Sequence, residues 1–417
     1  MDKRRVVVTG LGVVAPNGIG KDAFWNALIH GISGVTQITR FDPSPFSSHI
    51  AGEITDLNLS GYMDNKSARR TGRFTHFAVA SAKMAVADAE LEETDLNNYR
   101  AGIYIGSVTG GTDVFEREHI SLREKGTHRL SPFGSAAYCH NSAATELSIQ
   151  LDCKGNVTTI SSGCTCGLDA IGAACHEIEI GKTDIAVAGG TDSSVTPLTL
   201  GSLCAAGIVS TRNKEPEKAS CPFDAKRDGG IVSEGAGIVV LEEMEHALDR
   251  NTFIYGEIMG YSRTTEASNL FETDEDGRGF VGEMRKVLRQ GSLSPVDVDY
   301  ICAHAPSDVI RDRAETIAIK EVFGDYAYRV PASSIKSMTG NPLASAGPMQ
   351  LIASLMVIRD GIIPPTINYE FPDPECDLDY VPNEARRNNV KTVLINSYGF
   401  GGSNTCLIVS KFDRIRQ

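Results

Sequence analysis

Cys164 is the residue of this chain best placed for covalent chemistry. It lies in VTTISSGCTCGLDAIGAA, where an apolar run passes into small residues and then into an amphipathic helical pattern. A cysteine at such a turn meets the unpaired N–H groups and the dipole of the helix start, which favour the thiolate and lower its pKa. The same N–H groups would hold a developing oxyanion. Gly163 and Gly167 let the backbone turn sharply and let a substrate approach. The other reading is packing, since a buried cysteine also serves as compact, inert filling. Cys166, two positions on and aimed elsewhere, is read as filling.

A second pattern, Gly10-Leu-Gly12-Val-Val-Ala15, follows a strand and has the spacing of a dinucleotide-binding turn. It lacks what that turn needs. Pro16-Asn17-Gly18-Ile19-Gly20 delays the next helix to about Lys21, and GISGVTQITR offers no acidic residue where the ribose would sit. The segment is expected to be a tight turn between a core strand and a surface helix.

The elements that must position Cys164 alternate in type. Strands are expected at Arg5–Thr9, Arg100–Ile105, Val157–Ser161, Asp184–Ala188, Ala236–Leu241, Asp299–His304, Thr392–Ile395 and Thr405–Ser410. Helices are expected at Lys21–His30, Phe74–Ala89, Gly167–Ile180, Glu315–Val322 and Gly347–Arg359, so the chain belongs to the α/β class. The polar stretch Ser210–Lys226 is expected to be a surface loop. AGIYIGSVTGG at 101–111 is similar in pattern to VDYICAHAPSD at 298–308. CGLDAIGAACHEIEIGKTDI at 166–185 is similar to ASAGPMQLIASLMVIRDGII at 344–363. The pairs suggest an internal duplication, with halves at 1–250 and 251–417.

Composition narrows the function classes. The 417 residues carry 40 Lys and Arg against 53 Asp and Glu, a net charge of −13. That argues against nucleic acid as the main partner, because phosphate contacts need excess positive charge. No apolar run approaches the length of a membrane span. The ten cysteines are scattered without a zinc or redox spacing, and MDKRRVVVTG enters a strand directly, so a cytoplasmic protein with free thiols is expected.

Several ordered motifs resemble those of the β-ketoacyl synthases. SGCTCGLDAIG is similar to their nucleophile turn, above all in the ketosynthase subunits of type II polyketide synthases. RRVVVTGLGVVAPNG resembles the opening strand, and CPFDAKRDGGIVSEGAGIVVLEE a central signature. KSMTGNPLASAG and NSYGFGGSNTCLIV resemble the last two signatures. The resemblance covers nearly the whole chain. It implies a thiolase fold with duplicated α-β-α-β-α layers, usually dimeric. It implies decarboxylative condensation of acyl and malonyl groups on an acyl carrier protein, in polyketide or specialised fatty acid biosynthesis. No metal and no cofactor of its own is implied, only the phosphopantetheine of the carrier.

By the same resemblance Cys164 is the nucleophile and His304 the first imidazole. Lys336 organises the pocket, and Phe400 is a gating aromatic whose N–H joins that of Cys164 as an oxyanion donor. Gly399 and Gly401 free its loop. Glu315 falls near a family glutamate, with a role toward substrate or simply as a carboxylate favoured by its helix. The family's second histidine is Asn341 here, which can donate N–H bonds but cannot titrate near neutrality. The threonines that meet the carrier's arm become Pro306, which donates nothing, and Asp308, an acceptor. Lys66, Arg69, Arg70 and Arg73 form a basic patch suited to an acidic carrier protein. The partner subunit is expected to be an identical copy or a chain-length-factor-like paralogue. Asn341 and Pro306 also admit a non-elongating acyltransferase. A scaffold resembling a chain-length factor is the third reading, though the intact Cys164 turn speaks against it.

Overall fold

Short runs rich in Val, Ile and Leu form the strands of one large sheet. The computed structural model describes residues 3–271 and 273–414. In the first half these strands are β1 (Val6–Ala15), β2 (Ala101–Gly106), β3 (Val157–Ile160), β4 (Ile185–Asp192) and β5 (Gly235–Glu243). In the second they are β6 (Gly256–Thr265), β7 (Tyr300–Cys302), β8 (Ala332–Ser333), β9 (Thr392–Gly399) and β10 (Ser403–Ser410). Spatial order is β3-β2-β4-β5-β1 in one half and β8-β7-β9-β10-β6 in the other. Numbered within each half, both read 3-2-4-5-1, and the parallel and antiparallel pairings repeat too. The two sets join where Val7 and Val8 of β1 pair with Glu257 and Gly256 of β6.

Helices build the remaining layers. α1 (Arg73–Asp88) covers the outer face of the first set, and α3 (Arg278–Gln290) with α4 (Val309–Phe323) covers that of the second. Between the sets lie α2 (Cys166–Glu179) and α5 (Ala346–Asp360), which touch each other and strands of both halves. α5 is buried from Ala346 to Ile358, as a helix enclosed on all sides must be. The main core runs through both inner helices and both strand sets. This is the α-β-α-β-α arrangement of the thiolase fold.

The structure corrects several expectations. Gly10 and Gly12 lie inside β1, not in a turn. A Cβ on Gly12 would stand 1.9 Å from the Ser81 carbonyl oxygen, and one on Gly10 2.1 Å from that of Ala85. The glycines let α1 lie directly on the strand. The expected surface loop at 210–226 is partly core: Phe223 is fully buried and stacks on Tyr380 at 3.7 Å. Strand β6 and helix α3 escaped the sequence reading, and α4 begins at Val309, not Glu315.

Gly12→Val should destabilise the protein by about 3 kcal/mol or more, because the obstacle is backbone and cannot rotate away. Urea unfolding checks this; a midpoint equal to that of the parent would contradict the packing account.

Candidate active site

β3 delivers the chain to the turn Gly163–Thr165, which leads into α2. Gly163 takes φ +81, the left-handed conformation that favours glycine. Ser162 and Thr165 hydroxyls donate to the Asp169 carboxylate one turn into the helix, the latter at 3.0 Å. The same carboxylate accepts from Tyr261 at 2.9 Å and Thr405 at 2.7 Å. The Cys164 turn is thus tied to both halves of the fold.

Cys164 is 5% exposed and lines an open cleft. The cleft has apolar walls, among them Leu203, Ile208, Val209, Ile231 and Leu343. Its thiol is not held low as the helix start suggested. Burial pushes it up, and the Asp192 carboxylate adds to this. Arg311, the Phe400 backbone N–H that hydrogen-bonds it, and Lys336 pull the other way. The reason is positional: Cys164 stands two residues ahead of α2, in a buried turn.

His304 follows β7 and shares the cleft. Its Nδ1 accepts the Tyr398 backbone N–H at 3.2 Å, so in the neutral ring the proton sits on Nε2. Burial, then the charges of Lys336 and Arg311, hold the imidazole well below its usual range. The ring is a neutral hydrogen-bond donor and not a cation.

Two expected site residues act through His304 and do not line the cleft. Lys336 is 1% exposed, and its Nζ donates to the His304 carbonyl at 2.8 Å and to Gln350 Oε1 at 3.2 Å. Burial lowers its pKa to about 8. It meets the cleft only through the His304 carbonyl. Glu315 sits in the middle of α4, fully buried. Its two oxygens accept the N–H groups of His304 at 3.0 Å and Ala305 at 2.8 Å, and Asn396 adds a third bond at 2.8 Å. Its carboxylate faces these donors and is not part of the cleft lining.

Asn341 does line the cleft. Its backbone N–H donates to Ile231 at 2.8 Å, while its buried Oδ1 has no hydrogen-bond partner. Phe400 and Gly399 also line the cleft, and a Cβ on Gly399 would stand 3.0 Å from the Cys164 backbone nitrogen. Gly401 does not; its N–H is spent on the Leu270 carbonyl at 2.7 Å. Pro306 and Asp308 both line the cleft. The Asp308 carboxylate caps α4 through the N–H groups of Ile310 and Arg311, and pairs with the Arg311 guanidinium at 3.2 Å. It is therefore already engaged and offers little to a substrate arm. Arg73 leaves the expected basic patch, because its guanidinium binds the buried Glu234 at 2.7 Å and lies over Phe77. Lys66, Arg69 and Arg70 remain exposed.

Sequence reasoning missed Asp169, Asp192, Gln350 and Arg311. Asp192, at the end of the AGGTD strand, accepts the N–H groups of Val108, Thr109 and Ala344. Arg311 gave no signal beyond its closeness to the His304 motif.

A buried cysteine facing a backbone N–H, with a neutral imidazole and a carboxamide on one cleft, is an arrangement able to carry acyl-transfer chemistry on a thiolase fold. Comparison with known proteins agrees. Residues 3–247 match the family model for the N-terminal domain of β-ketoacyl synthases, and residues 255–370 the model for the C-terminal domain. A 3-oxoacyl-(acyl-carrier-protein) synthase 2 of Coxiella burnetii is 45% identical, covering 99% of each chain. A solved type II polyketide ketosynthase, in complex with its acyl carrier protein and bound to the hexaketide, superposes with TM-score 0.91 at 35% identity. It covers 99% of this chain and 100% of that one. The ishigamide ketosynthase/chain length factor gives TM-score 0.92 at 31% identity over 99% of this chain and 100% of that one. The chain belongs to the β-ketoacyl synthase family of fatty acid and polyketide biosynthesis, and it is a condensing acyltransferase.

The geometry sets a pH dependence. His304 is neutral well below pH ~6.5, so kcat/KM should show no acid limb there. Alkylation of Cys164 by iodoacetamide should still be accelerating above the ordinary thiol pKa of 9.0, since burial raises that group. Rates measured between pH 5 and 10.5 check both; a limb near 6.5 that disappears in His304→Gln would contradict the neutral ring.

Proposed function

We propose that Cys164 carries the growing acyl chain and that His304 and Asn341 together serve the malonyl unit. The observation that carries this reading is the Phe400 N–H aimed at the Cys164 sulfur while the neutral His304 shares the cleft. Cys164 attacks the acyl thioester of a carrier protein. Its proton leaves with the carrier's thiol, and the acyl group stays on sulfur. Malonyl on a second carrier loses CO₂, and the negative charge moves to its thioester oxygen. His304 Nε2–H and the Asn341 carboxamide donate to that oxygen. The carbanion carbon then attacks the acyl-Cys164 carbonyl. The N–H groups of Cys164 and Phe400 take the new oxyanion, and collapse expels the Cys164 thiolate and frees a β-ketoacyl carrier protein.

The carrier supplies its phosphopantetheine arm, which reaches Cys164 through the apolar cleft. A relative solved with its acyl carrier protein supports this partner. Lys66, Arg69 and Arg70 are the exposed cations that suit an acidic carrier.

The second subunit docks at β3. Among the described residues that strand pairs only with β2 and leaves its other edge open. Val157 on it and Ile149 on the neighbouring helix are 38% and 67% exposed. An open strand edge beside apolar side chains fits pairing with another chain. Either an identical copy or a chain-length-factor-like paralogue would match it, and the named pairing in one solved relative supports the second. We place the boundary between halves at residue 250, in the stretch between Asp249 and Gly256; the two family models, over 3–247 and 255–370, support this reading. Ten free thiols and no helix, among the described residues, long and apolar enough to cross a membrane fit the cytoplasm.

Incubation with acyl and malonyl carrier proteins should give a mass increase on Cys164 and release of CO₂. Cys164→Ala should abolish both the adduct and the product. Asn341→Ala should slow CO₂ release by ~100-fold while Cys164 still becomes acylated. Acylation of the parent without any CO₂ would leave a non-elongating acyltransferase in place of this reading.

Lys66→Glu and Arg70→Glu should each raise KM for the carrier protein by ~10-fold at low salt with kcat unchanged. Equal KM values in parent and variants would remove the patch from the docking surface.

A further inference from the structure

Arg311 is the third residue of α4, and it lines the same cleft as Cys164, His304 and Phe400. Its side chain is 11% exposed. The guanidinium makes three separate contacts. It pairs with the Asp308 carboxylate at 3.2 Å, it donates to the Phe271 carbonyl, and its Cζ lies 5.3 Å from the centre of the Phe400 ring. The Phe271 and Phe400 rings meet edge-on at 5.6 Å. Nearby, Gly401 N–H donates to Leu270, Glu266 N–H to Gly402 and the Thr265 hydroxyl to Gly401. Residues 265–271 are therefore tied to the Phe400–Gly402 turn, and Arg311 is the side chain that joins both to the start of α4.

The packing at Gly401 does not itself fix the turn. Gly401 has φ +76, and a Cβ there would meet nothing within 4 Å. The turn's useful geometry, an N–H directed at the Cys164 sulfur, must then be imposed from outside. A planar guanidinium can do this as no ammonium can, because it donates in two directions while stacking on a ring. Its charge also partly offsets the burial that raises the Cys164 thiol.

We propose that Arg311 is a positioning residue that latches the Phe400 turn over Cys164, and that an acyl group gains the thiol only by displacing this latch. The latch is a determinant of which acyl groups enter. It rests on the assignment of Cys164 as nucleophile and deepens it.

Two variants of the full chain test it. Arg311→Met removes charge and fork; Arg311→Lys keeps the charge and loses the fork. Each is alkylated at Cys164 with a small reagent, iodoacetamide, and a bulky one, N-phenylmaleimide. Peptide mass mapping reports the site. The ratio of the two rates cancels the thiolate fraction and reads access alone. Both variants should raise the bulky-to-small ratio by ~5-fold and slow acyl transfer from acyl carrier protein by ~10-fold, as a gate that is open but no longer aligned would. An unchanged ratio or an unchanged transfer rate in Arg311→Lys, whose thermal unfolding confirms its fold, overturns the latch. Failure of the parent to accept any acyl group would instead sink the synthase chemistry, and the alkylation ratio would still judge the latch.

Discussion

The carboxylate of Asp192 accepts N–H bonds from Val108 and Thr109 of the first half and from Ala344 of the second. This buried acceptor ties loops of the two halves together beside the site. Ala344 begins the approach to α5, and the turn carrying Cys164 begins α2, its neighbour in the central layer. A duplicated fold would otherwise end as two strand sets, each with its own loops. Here the loops are joined because a negative charge removed from water demands several donors, and Ala344 of the second half completes the set that Ser107, Val108 and Thr109 of the first begin. The cost is felt locally: Asp192 itself is pushed up by burial, and it raises the thiol beside it.

That choice explains why the site uses neutral donors. A high thiol and a depressed imidazole mean that Cys164 and His304 do not form an ion pair in the resting protein. Lys336, buried behind the histidine, spends its Nζ on the His304 carbonyl and on Gln350, and so fixes the strand end instead of facing substrate. Glu315 fixes the same strand end from the other side through two N–H groups. The imidazole is thus aimed by its backbone, and its tautomer is set by the Tyr398 N–H. Such rigidity suits the stabilisation of oxyanions, which gains from donors that need not reorganise as charge develops. It suits proton abstraction less well, because Nδ1 is already taken.

Much of this was legible in the sequence. Cys164 stood out because strand, small residues and helix occur in an order that few core cysteines share. The duplication showed in paired segments that the structure places at equivalent strands and at the two central helices. β6 was hidden because glycines and charged residues interrupt its alternation. α3 lacks an apolar start, and α4 was masked by the Pro306-Ser307-Asp308 run that precedes it. Side-chain roles were harder to read. Glu315 and Lys336 are polar residues whose partners are backbone atoms far along the chain, and no spacing rule shows a carbonyl as the target. Arg73 was read as a surface cation because Glu234, the buried anion it binds, is 161 positions away.

The departures from the family pattern all line the cleft that holds Cys164. Pro306 removes a donor, and Asp308 turns its carboxylate back onto its own helix and onto Arg311. The space that two hydroxyls would present to a substrate arm is thereby given to an ion pair that reaches across to Phe400. Asn341, meanwhile, keeps an unpartnered oxygen elsewhere in the lining. One part of the lining has become more tightly bound to itself, and another less. A substrate that meets such a site is recognised mainly by the apolar walls and by the few donors near Cys164, and much less by polar contacts along its arm. Selectivity is then set near the thiol, at the turn that covers it, where a difference of one side chain changes what can pass.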